Sequence, residues 1–171
     1  MNQDIILNRL EKEFNGVQNA IDEGTLENMS VEVAKENNSI NYRKWLITIY
    51  GKEGTIWEGG EFPGMLHFHK GYPKEPPSYY WSLYGGQFQH MNIYSNGATC
   101  IDILNNELAY TESTNCIEIL KGMEGFLYAP NPKSPTIRGL AKTYVENKQQ
   151  YEQLVKAFVK HYMIEKKKAN K

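Results

Sequence analysis

Residues 40–50 read INYRKWLITIY, and this stretch does most to determine the fold of the 171-residue chain. Aromatic and β-branched side chains dominate it, which is typical of a β-strand. Asn37 and Asn38 precede it, and Gly51 and Gly54 follow it, so turn-forming residues lie at both ends. We therefore predict a long strand with a reverse turn on each side.

Three further strand-like stretches lie around this one, at residues 31–33, 62–69 and 78–84. A glycine pair separates the second strand from the third, and a proline-rich run at residues 72–77 separates the third from the fourth. Connections this short join antiparallel neighbours, whereas parallel strands need a longer crossover. The sequence therefore predicts a four-stranded antiparallel meander.

Helical periodicity precedes the predicted sheet. The first apolar stripe consists of Ile6, Leu10, Phe14, Val17 and Ile21. Its spacings of three and four residues predict an amphipathic helix that ends near Gly24 and packs on the sheet.

Three more helices are expected after residue 110. Asn115 with Glu118 forms a capping pattern for the first of them, in which Gly122 and Gly125 are interpreted as sites of close packing. Ser134, followed by a proline, is the predicted N-cap of a short helix ending near residue 147. An apolar face over residues 151–162 predicts the last helix.

These elements define an α+β fold with an N-terminal helix, a four-stranded antiparallel meander sheet and C-terminal helices. The chain contains no internal repeat and no linker long enough to divide it. We therefore expect a single domain over residues 1–165 and a short basic tail over residues 166–171. The lysines at 166, 167 and 168 are interpreted as a solvated, frayed helix end.

The charge balance argues against several partners. The chain has 19 Lys and Arg against 20 Asp and Glu, a net charge of −1, so we expect no nucleic-acid partner. Residues 148–171 hold seven Lys and two Glu, which is +5 and leaves −6 for the rest. No stretch approaches the roughly 20 apolar residues that cross a bilayer, and the charged start is not typical of a secretory leader. We expect a cytoplasmic or nuclear protein without a membrane partner, in which Cys100 and Cys116 are free thiols.

A segment without charges surrounds one of these cysteines. Residues 76–101 contain no Asp, Glu, Lys or Arg, although such residues make up 23% of the chain, and Cys100 lies at the end of this segment. The segment is either an ordinary buried strand with a loop or a shallow neutral groove that holds an accessible thiol. A cysteine that attacks peptides needs a cation to lower its pKa, whereas the nearest charge here is Asp102, so a Cys–His hydrolase is disfavoured. A thiol without such a partner can still accept an already activated acyl group, because thioester exchange is close to balanced.

The histidines do not indicate a metal site. His67 and His69 are two residues apart on a predicted strand and therefore share one face. Two ligands do not make a zinc site, and neither cysteine belongs to a C-x-x-C pair. We expect no bound metal and interpret the pair as part of a half-exposed strand face.

Five motifs, in order and over nearly the whole chain, resemble those of the ubiquitin-conjugating enzymes. They are Trp57-Glu58-Gly59-Gly60, Tyr72-Pro73-x-x-Pro76-Pro77, His90-Met91-Asn92-Ile93-Tyr94, the run at residues 96–104 that contains Cys100, and Pro130-Asn131-Pro132-Lys133-Ser134-Pro135. The fold of that family agrees with the pattern of elements predicted above.

The resemblance implies a role for each candidate site residue. Cys100 would take the C-terminal carboxyl of ubiquitin or a ubiquitin-like modifier from an activating enzyme, and the lysine of a protein substrate would then attack this thioester, usually with a ligase. Asn92 is the second catalytic residue, which stabilises the oxyanion or orders the neighbouring loop. His90 supports the turn, and Tyr94 and Ser134 flank the incoming lysine. No cofactor is expected on this chain, because the upstream activating enzyme consumes the ATP.

The chain departs from the family pattern at several positions. Met91 stands where a proline is usual, Tyr110 where a tryptophan is usual, and Lys74 where ligases often contact an aromatic side chain. Ser134 replaces a common acidic residue, and three extra residues lie around a glycine pair at residues 85–86. These departures keep a non-catalytic scaffold of the same fold as an alternative.

The sequence has features of both the ubiquitin-conjugating and the SUMO-conjugating branches, so both modifiers are candidates. The motif at residues 51–60, with Gly51, Lys52 and Gly54 before Trp57, is similar to the SUMO-conjugating branch. That branch has a strongly basic first helix, whereas here Arg9 lies among acidic residues. A SUMO-specific conjugating enzyme is therefore an alternative to one that uses ubiquitin.

Overall fold

The computed structural model describes residues 3–99, 101–105 and 109–171. The helices and strands are, in chain order, α1 (Gln3–Asp22), β1 (Met29–Glu36), β2 (Ser39–Tyr50), β3 (Glu61–His67), β4 (Ser78–Trp81), α2 (Asp102–Asn105), α3 (Cys116–Tyr128), α4 (Arg138–Glu146) and α5 (Lys148–Ala169). The predicted α+β class, with one helix before the sheet and the remaining helices after it, is confirmed.

The four strands form one antiparallel sheet in the order β1-β2-β3-β4, as predicted for a meander. Asn37 and Asn38 form the two-residue loop between β1 and β2, and both have positive φ angles, 50° and 63°. Two such residues in sequence give the loop a backbone twist that matches the twist of the strands. The Asn pair that precedes the long strand in the sequence is thus the turn of the first hairpin.

Helix α1 packs on one face of the sheet through the stripe that the sequence indicated. Ile6, Leu10 and Val17 are buried, and the ring of Phe14 lies edge-on to that of Trp45 on β2, with 5.5 Å between centroids. The predicted amphipathic helix is confirmed, and it covers the sheet near α3.

Helix α5 packs on an aromatic cluster. Phe158 and Tyr162 of α5 contact the ring of Phe88, with centroids 4.9 and 5.5 Å apart, and Trp57 stacks on the same ring at 6.0 Å. All four side chains are buried. Because Phe88 belongs to this cluster, the cluster fixes the chain just before residues 90–92.

Helix α3 begins as the sequence predicts. The Asn115 side chain accepts a hydrogen bond from the Glu118 N–H at 3.0 Å, and the Glu118 carboxylate accepts one from the Asn115 N–H at 2.9 Å. A Cβ at Gly122 would lie 3.1 Å from Ile103, which fits the close packing expected there. The same interpretation is wrong for Gly125, where a Cβ would have no atom of another described residue outside the helix backbone within 4 Å.

Helix α4 begins later than predicted, and Ser134 is not its N-cap. The first helical residue is Arg138, and Ile137 occupies the cap without a side-chain hydrogen bond. The physical reason lies in the preceding residues: the Ser134 carbonyl accepts from the Asn92 amide, and the Thr136 N–H donates to the Met91 carbonyl. These backbone groups are bound outside the helix, so residues 131–137 form an irregular loop.

Helix α5 continues through the segment that was interpreted as a frayed end. The Lys166 ammonium lies 2.6 Å from the Glu61 carboxylate, its side chain is only 14% exposed, and the helix extends to Ala169. The interpretation as a solvated end is therefore wrong for Lys166. Neither α5 nor any other helix in the described part of the chain is long and apolar enough to span a membrane.

Candidate active site

A small hairpin at residues 93–99 lies against the edge of β4. The Gly97 carbonyl accepts from the Trp81 N–H at 2.8 Å, and Tyr80 pairs with Ala98. Gly97 has a φ of 82°, and a Cβ there would lie 2.3 Å from the Trp81 carbonyl oxygen. Only glycine fits this approach, and the close contact fixes the hairpin on the sheet.

Cys100 directly follows this hairpin and lies outside the described residues, so its exposure stays a prediction. Its chain neighbours are fixed on both sides. Thr99 is buried and pairs with Ile93, and the Ile101 carbonyl accepts from the Leu104 N–H at 3.1 Å as α2 begins. Asn92 directly precedes Ile93, so this pairing joins the chain neighbours of both predicted catalytic residues.

The Asn92 side chain is buried, and its amide makes three hydrogen bonds. Its Nδ2 donates to the carbonyl oxygens of Asn131 at 2.8 Å and Ser134 at 2.9 Å, while its Oδ1 accepts from the Asn131 N–H at 2.8 Å. Both Nδ2 hydrogens and one lone pair of Oδ1 are thus used on a single loop. The arrangement fits the loop-ordering role implied by the resemblance, since an oxyanion would have to displace one of the two carbonyls.

His90 lies beneath this turn as a neutral ring. Its Nε2 lies 3.0 Å from the Phe126 carbonyl oxygen, and its Nδ1 accepts from the Asn92 N–H at 3.2 Å. Because the carbonyl can only accept, the proton belongs on Nε2. Burial lowers the pKa of His90 to about 4, against the opposing effect of the bond to Phe126. His90 therefore orients the turn without carrying charge at neutral pH.

The buried neutral state of His90 predicts a dependence of stability on pH. As the pH falls below about 6.5, the unfolded chain binds a proton that folded His90 does not take up until pH about 4. The free energy of unfolding should therefore decrease by about 3 kcal/mol from pH 7 to pH 4 on account of this residue. Urea unfolding at several pH values measures this decrease in the free energy of unfolding. His90→Gln should lose that part of the pH dependence, and the exposed-site control His161→Gln should keep it. An identical pH dependence in His90→Gln and the parent would contradict the assignment.

Two of the departures from the family pattern, Met91 and Tyr110, are accommodated by hydrogen bonds. Met91 is buried, and its carbonyl accepts from the Thr136 N–H at 2.7 Å and the Thr136 hydroxyl at 3.0 Å. These bonds fix the turn where a proline ring would otherwise restrict it. Tyr110 is also buried and donates its hydroxyl to the Pro73 carbonyl at 2.9 Å.

Sequence reasoning missed the role of Thr136. Its hydroxyl also lies 2.7 Å from the Ile93 carbonyl, so it joins the loop after α3 to the residues on both sides of Asn92. The Asn131 backbone is a second missed contributor. Backbone carbonyls have no side-chain signature, and a single threonine in a loop gives no signal in the sequence.

Tyr94 and Ser134 are both exposed, on two segments that meet at the Asn92 turn. Tyr94 exposes 48% of its surface, and its N–H and carbonyl hold the 93–99 hairpin. Ser134 is linked to the turn through its carbonyl. The two side chains are thus positioned by backbone contacts and accessible from solvent.

Cys116 has the opposite environment from the one expected for Cys100. It is a free thiol, 1% exposed, at the start of α3, and its N–H donates to the Glu13 carboxylate at 2.9 Å. Burial and the neighbouring Glu13 raise its pKa well above the ordinary value. A buried, protonated thiol is a poor nucleophile. Cys116 is therefore unsuited to group transfer.

His67 is the last residue of β3 and His69 lies two residues beyond it, so the predicted strand ends earlier than expected, although the two rings lie together with centroids 4.6 Å apart. His69 Nε2 lies 2.6 Å from the Ser78 hydroxyl, which ties the end of β3 to the start of β4. The pair thus has a structural contact.

The fold and the loop network define an α+β domain of a known type. Residues 9–159 match the family model described as Ubiquitin-conjugating enzyme. The E2 domain of a Toxoplasma gondii ubiquitin conjugating enzyme superimposes with a TM-score of 0.72 at 26% identity, covering 91% of this chain and 97% of that one.

Relatives from both modifier branches are similar in sequence. The Sumo-conjugating enzyme ubc9 of Dictyostelium discoideum is 36% identical over 74% of this chain and 77% of its own length. The SUMO-conjugating enzyme SCE1 and Ubiquitin-conjugating enzyme E2 3 of Arabidopsis thaliana are each 33% identical over 74% of this chain, and 78% and 80% of their own lengths are covered. The chain belongs to the ubiquitin-conjugating enzyme family, whose members are transferases that form thioester intermediates.

Proposed function

We propose that this chain accepts ubiquitin or a ubiquitin-like modifier on Cys100 as a thioester and transfers it to a substrate lysine. The observation that carries the proposal is the contrast between the two cysteines. Cys116 is buried with a raised pKa, whereas Cys100 directly follows Thr99 in the chain, and Thr99 pairs with Ile93 next to Asn92. Only Cys100 occupies the position that matches the cysteine motif of the family.

The reaction proceeds in two balanced steps. The Cys100 thiolate attacks the thioester that the activating enzyme holds, so a bond from Sγ to the modifier carbonyl forms and the activating enzyme's thiol leaves. The neutral amine of a substrate lysine then attacks the same carbonyl, forms an amide and releases the Cys100 thiolate, and the proton that the amine loses passes to solvent. Neither step on this chain requires a cofactor, since the ATP is consumed upstream.

The uncharged segment at residues 76–101 favours the second step. A lysine with a pKa of about 10.4 is only about one part in a few thousand neutral at pH 7. A partly desolvated surface without charges favours the neutral amine, which is the nucleophile. The exposed Tyr94 and Ser134 side chains would flank that amine, as the family resemblance implies.

The modifier is either ubiquitin or SUMO, and features of the chain favour each. The motif at residues 51–60 and two of the similar relatives favour SUMO. The surface of α1 disfavours it, because Arg9 is paired with Glu13 at 2.7 Å and with the Glu112 carbonyl at 2.9 Å. Lys12 is then the one remaining basic residue in this helix.

A charging assay tests the function and decides the modifier. The chain is incubated with ATP and either ubiquitin or SUMO, each with its own activating enzyme. We expect an adduct with one modifier that disappears on treatment with dithiothreitol, and its discharge on addition of free lysine. Charging without discharge would favour the scaffold alternative, and no adduct with either modifier would contradict the proposal.

A further inference from the structure

A cleft lies between the loop at residues 51–60 and α5. The residues that line it are not those of the candidate active site. One part, of about 160 Å³, is lined by aromatic side chains and the start of α5. The other, of about 420 Å³, follows α5 past Lys156 and Lys160. Thr55 and Ile56 line both parts, so the two adjoin each other.

The smaller part is lined by Tyr151, whose buried hydroxyl has no partner among the described residues. Tyr151 is 2% exposed, and its Oη forms no hydrogen bond with any residue that the structure describes. The ring lies edge-on to that of Tyr144 at 5.0 Å, which restrains its orientation. Burial raises the pKa of Tyr151 to about 12, so the hydroxyl stays a donor at neutral pH. A buried donor without an acceptor is unfavourable, and an oxygen atom of a ligand would satisfy it.

Lysines follow one side of the cleft. Lys148 lies 6.0 Å from the centre of the Tyr144 ring, and Lys156 and Lys160 follow at spacings of eight and four residues along α5. The acidic lining residues are Glu58 and Glu152, and the Glu58 carboxylate already accepts from the Gly54 N–H at 2.9 Å. The lysine row therefore favours an anionic occupant.

The shape of the cleft indicates an extended ligand. Lys148 and Lys160 are 12 residues apart, which corresponds to about 18 Å along a helix. Five or six residues of extended peptide, at about 3.3 Å each, span that length. Ile56 and Val159 add apolar surface beside the lysines, which suits aliphatic side chains between acidic ones. A nucleic acid fits less well, because the chain has a net charge of −1 and this cleft offers three lysines rather than an extended basic surface.

We propose that this cleft binds an extended acidic peptide segment of a partner protein. One carboxylate of the peptide accepts a hydrogen bond from the Tyr151 hydroxyl beside Lys148. Carboxylates further along the peptide lie near Lys156 and Lys160. The site is independent of which modifier the enzyme carries, and its test does not require charging of Cys100.

An NMR titration tests this proposal with defined probes. The full-length ¹⁵N-labelled chain is titrated with an acetylated, amidated hexapeptide of alternating Glu and Val, and separately with one of alternating Lys and Val. We expect shift changes confined to amides in residues 54–59, 128–130 and 144–160, and only with the acidic peptide. No change, or changes centred elsewhere, would overturn the proposal.

Matched charge reversals distinguish binding in the cleft from nonspecific electrostatic binding. Lys156→Glu with Lys160→Glu should weaken binding about tenfold or more, because both lysines line the cleft. Lys167→Glu with Lys171→Glu changes the net charge equally outside it and should leave the affinity within about twofold. Equal weakening by the two pairs would overturn the proposal. So would tighter binding of a thymidylate dodecamer at the same amides.

Tyr151→Phe tests the anchoring hydroxyl. Loss of one hydrogen bond should weaken peptide binding about threefold to tenfold. The melting temperature of the free variant should equal or exceed that of the parent, because the removed hydroxyl has no partner to lose. A lower melting temperature, or unchanged affinity, would contradict the role of Tyr151.

Discussion

Asn92→Ala is expected to accept the modifier at the parent rate and to release it to free lysine about tenfold to a hundredfold more slowly. The substitution removes three hydrogen bonds, at 2.8, 2.9 and 2.8 Å, that hold the Asn131 and Ser134 backbone. A displacement of about 1 Å in a residue that positions substrate can cost about a hundredfold in rate. Single-turnover discharge of the pre-charged enzyme measures the effect. Equal discharge rates in Asn92→Ala and the parent would contradict it.

Thr136→Val distinguishes loop ordering from direct oxyanion stabilisation by Asn92. The substitution removes the Thr136 hydroxyl, whose single proton is shared between the Met91 and Ile93 carbonyls, and leaves the Asn92 amide intact. If loop order limits discharge, Thr136→Val should be about threefold to tenfold slower than the parent. If Asn92 acts as an oxyanion donor alone, Thr136→Val should discharge at the parent rate while Asn92→Ala remains slow.

The fold could be predicted because its signals are local. The two asparagines before the long strand, the apolar stripe of α1 and the Asn115–Glu118 capping box each form within a few residues of sequence. Local rules for turns, helical periodicity and capping apply directly to such patterns. The antiparallel meander then follows from the short connections between strands.

The errors arose where distant groups compete with a local signal. Ser134 has the local pattern of an N-cap, but Asn92, 42 residues away, binds its carbonyl and delays the helix to Arg138. Lys166 belongs to a lysine run typical of a solvated end, yet it pairs with Glu61, 105 residues away. Neither contact can be derived from the neighbouring sequence.

The candidate site also combines local sequence signals with contacts between residues that are distant in the sequence. Cys100, Asn92 and His90 were identified from motifs, whereas the loop contacts that occupy the Asn92 amide are made by backbone groups of Asn131 and Ser134. The buried neutral state of His90 also depends on Phe126 and Trp57, which lie far from it in the sequence. Motifs therefore predicted the candidate residues, and the folded chain shows how Asn92 and His90 are held.

The central claim, that the chain carries its modifier on Cys100, is tested most directly by replacing each cysteine with the same residue. The parent, Cys100→Ala and Cys116→Ala are charged side by side with activating enzyme, ATP and the modifier that the parent accepts. Thermal melting of each variant establishes that it is folded. The adducts are then resolved with and without dithiothreitol.

We predict complete loss of the reducible adduct in Cys100→Ala. Cys116→Ala should retain it at a rate within about twofold of the parent, because a buried, protonated thiol contributes no nucleophile. A reducible adduct of parental yield in folded Cys100→Ala, or its loss only in folded Cys116→Ala, would contradict the assignment of Cys100.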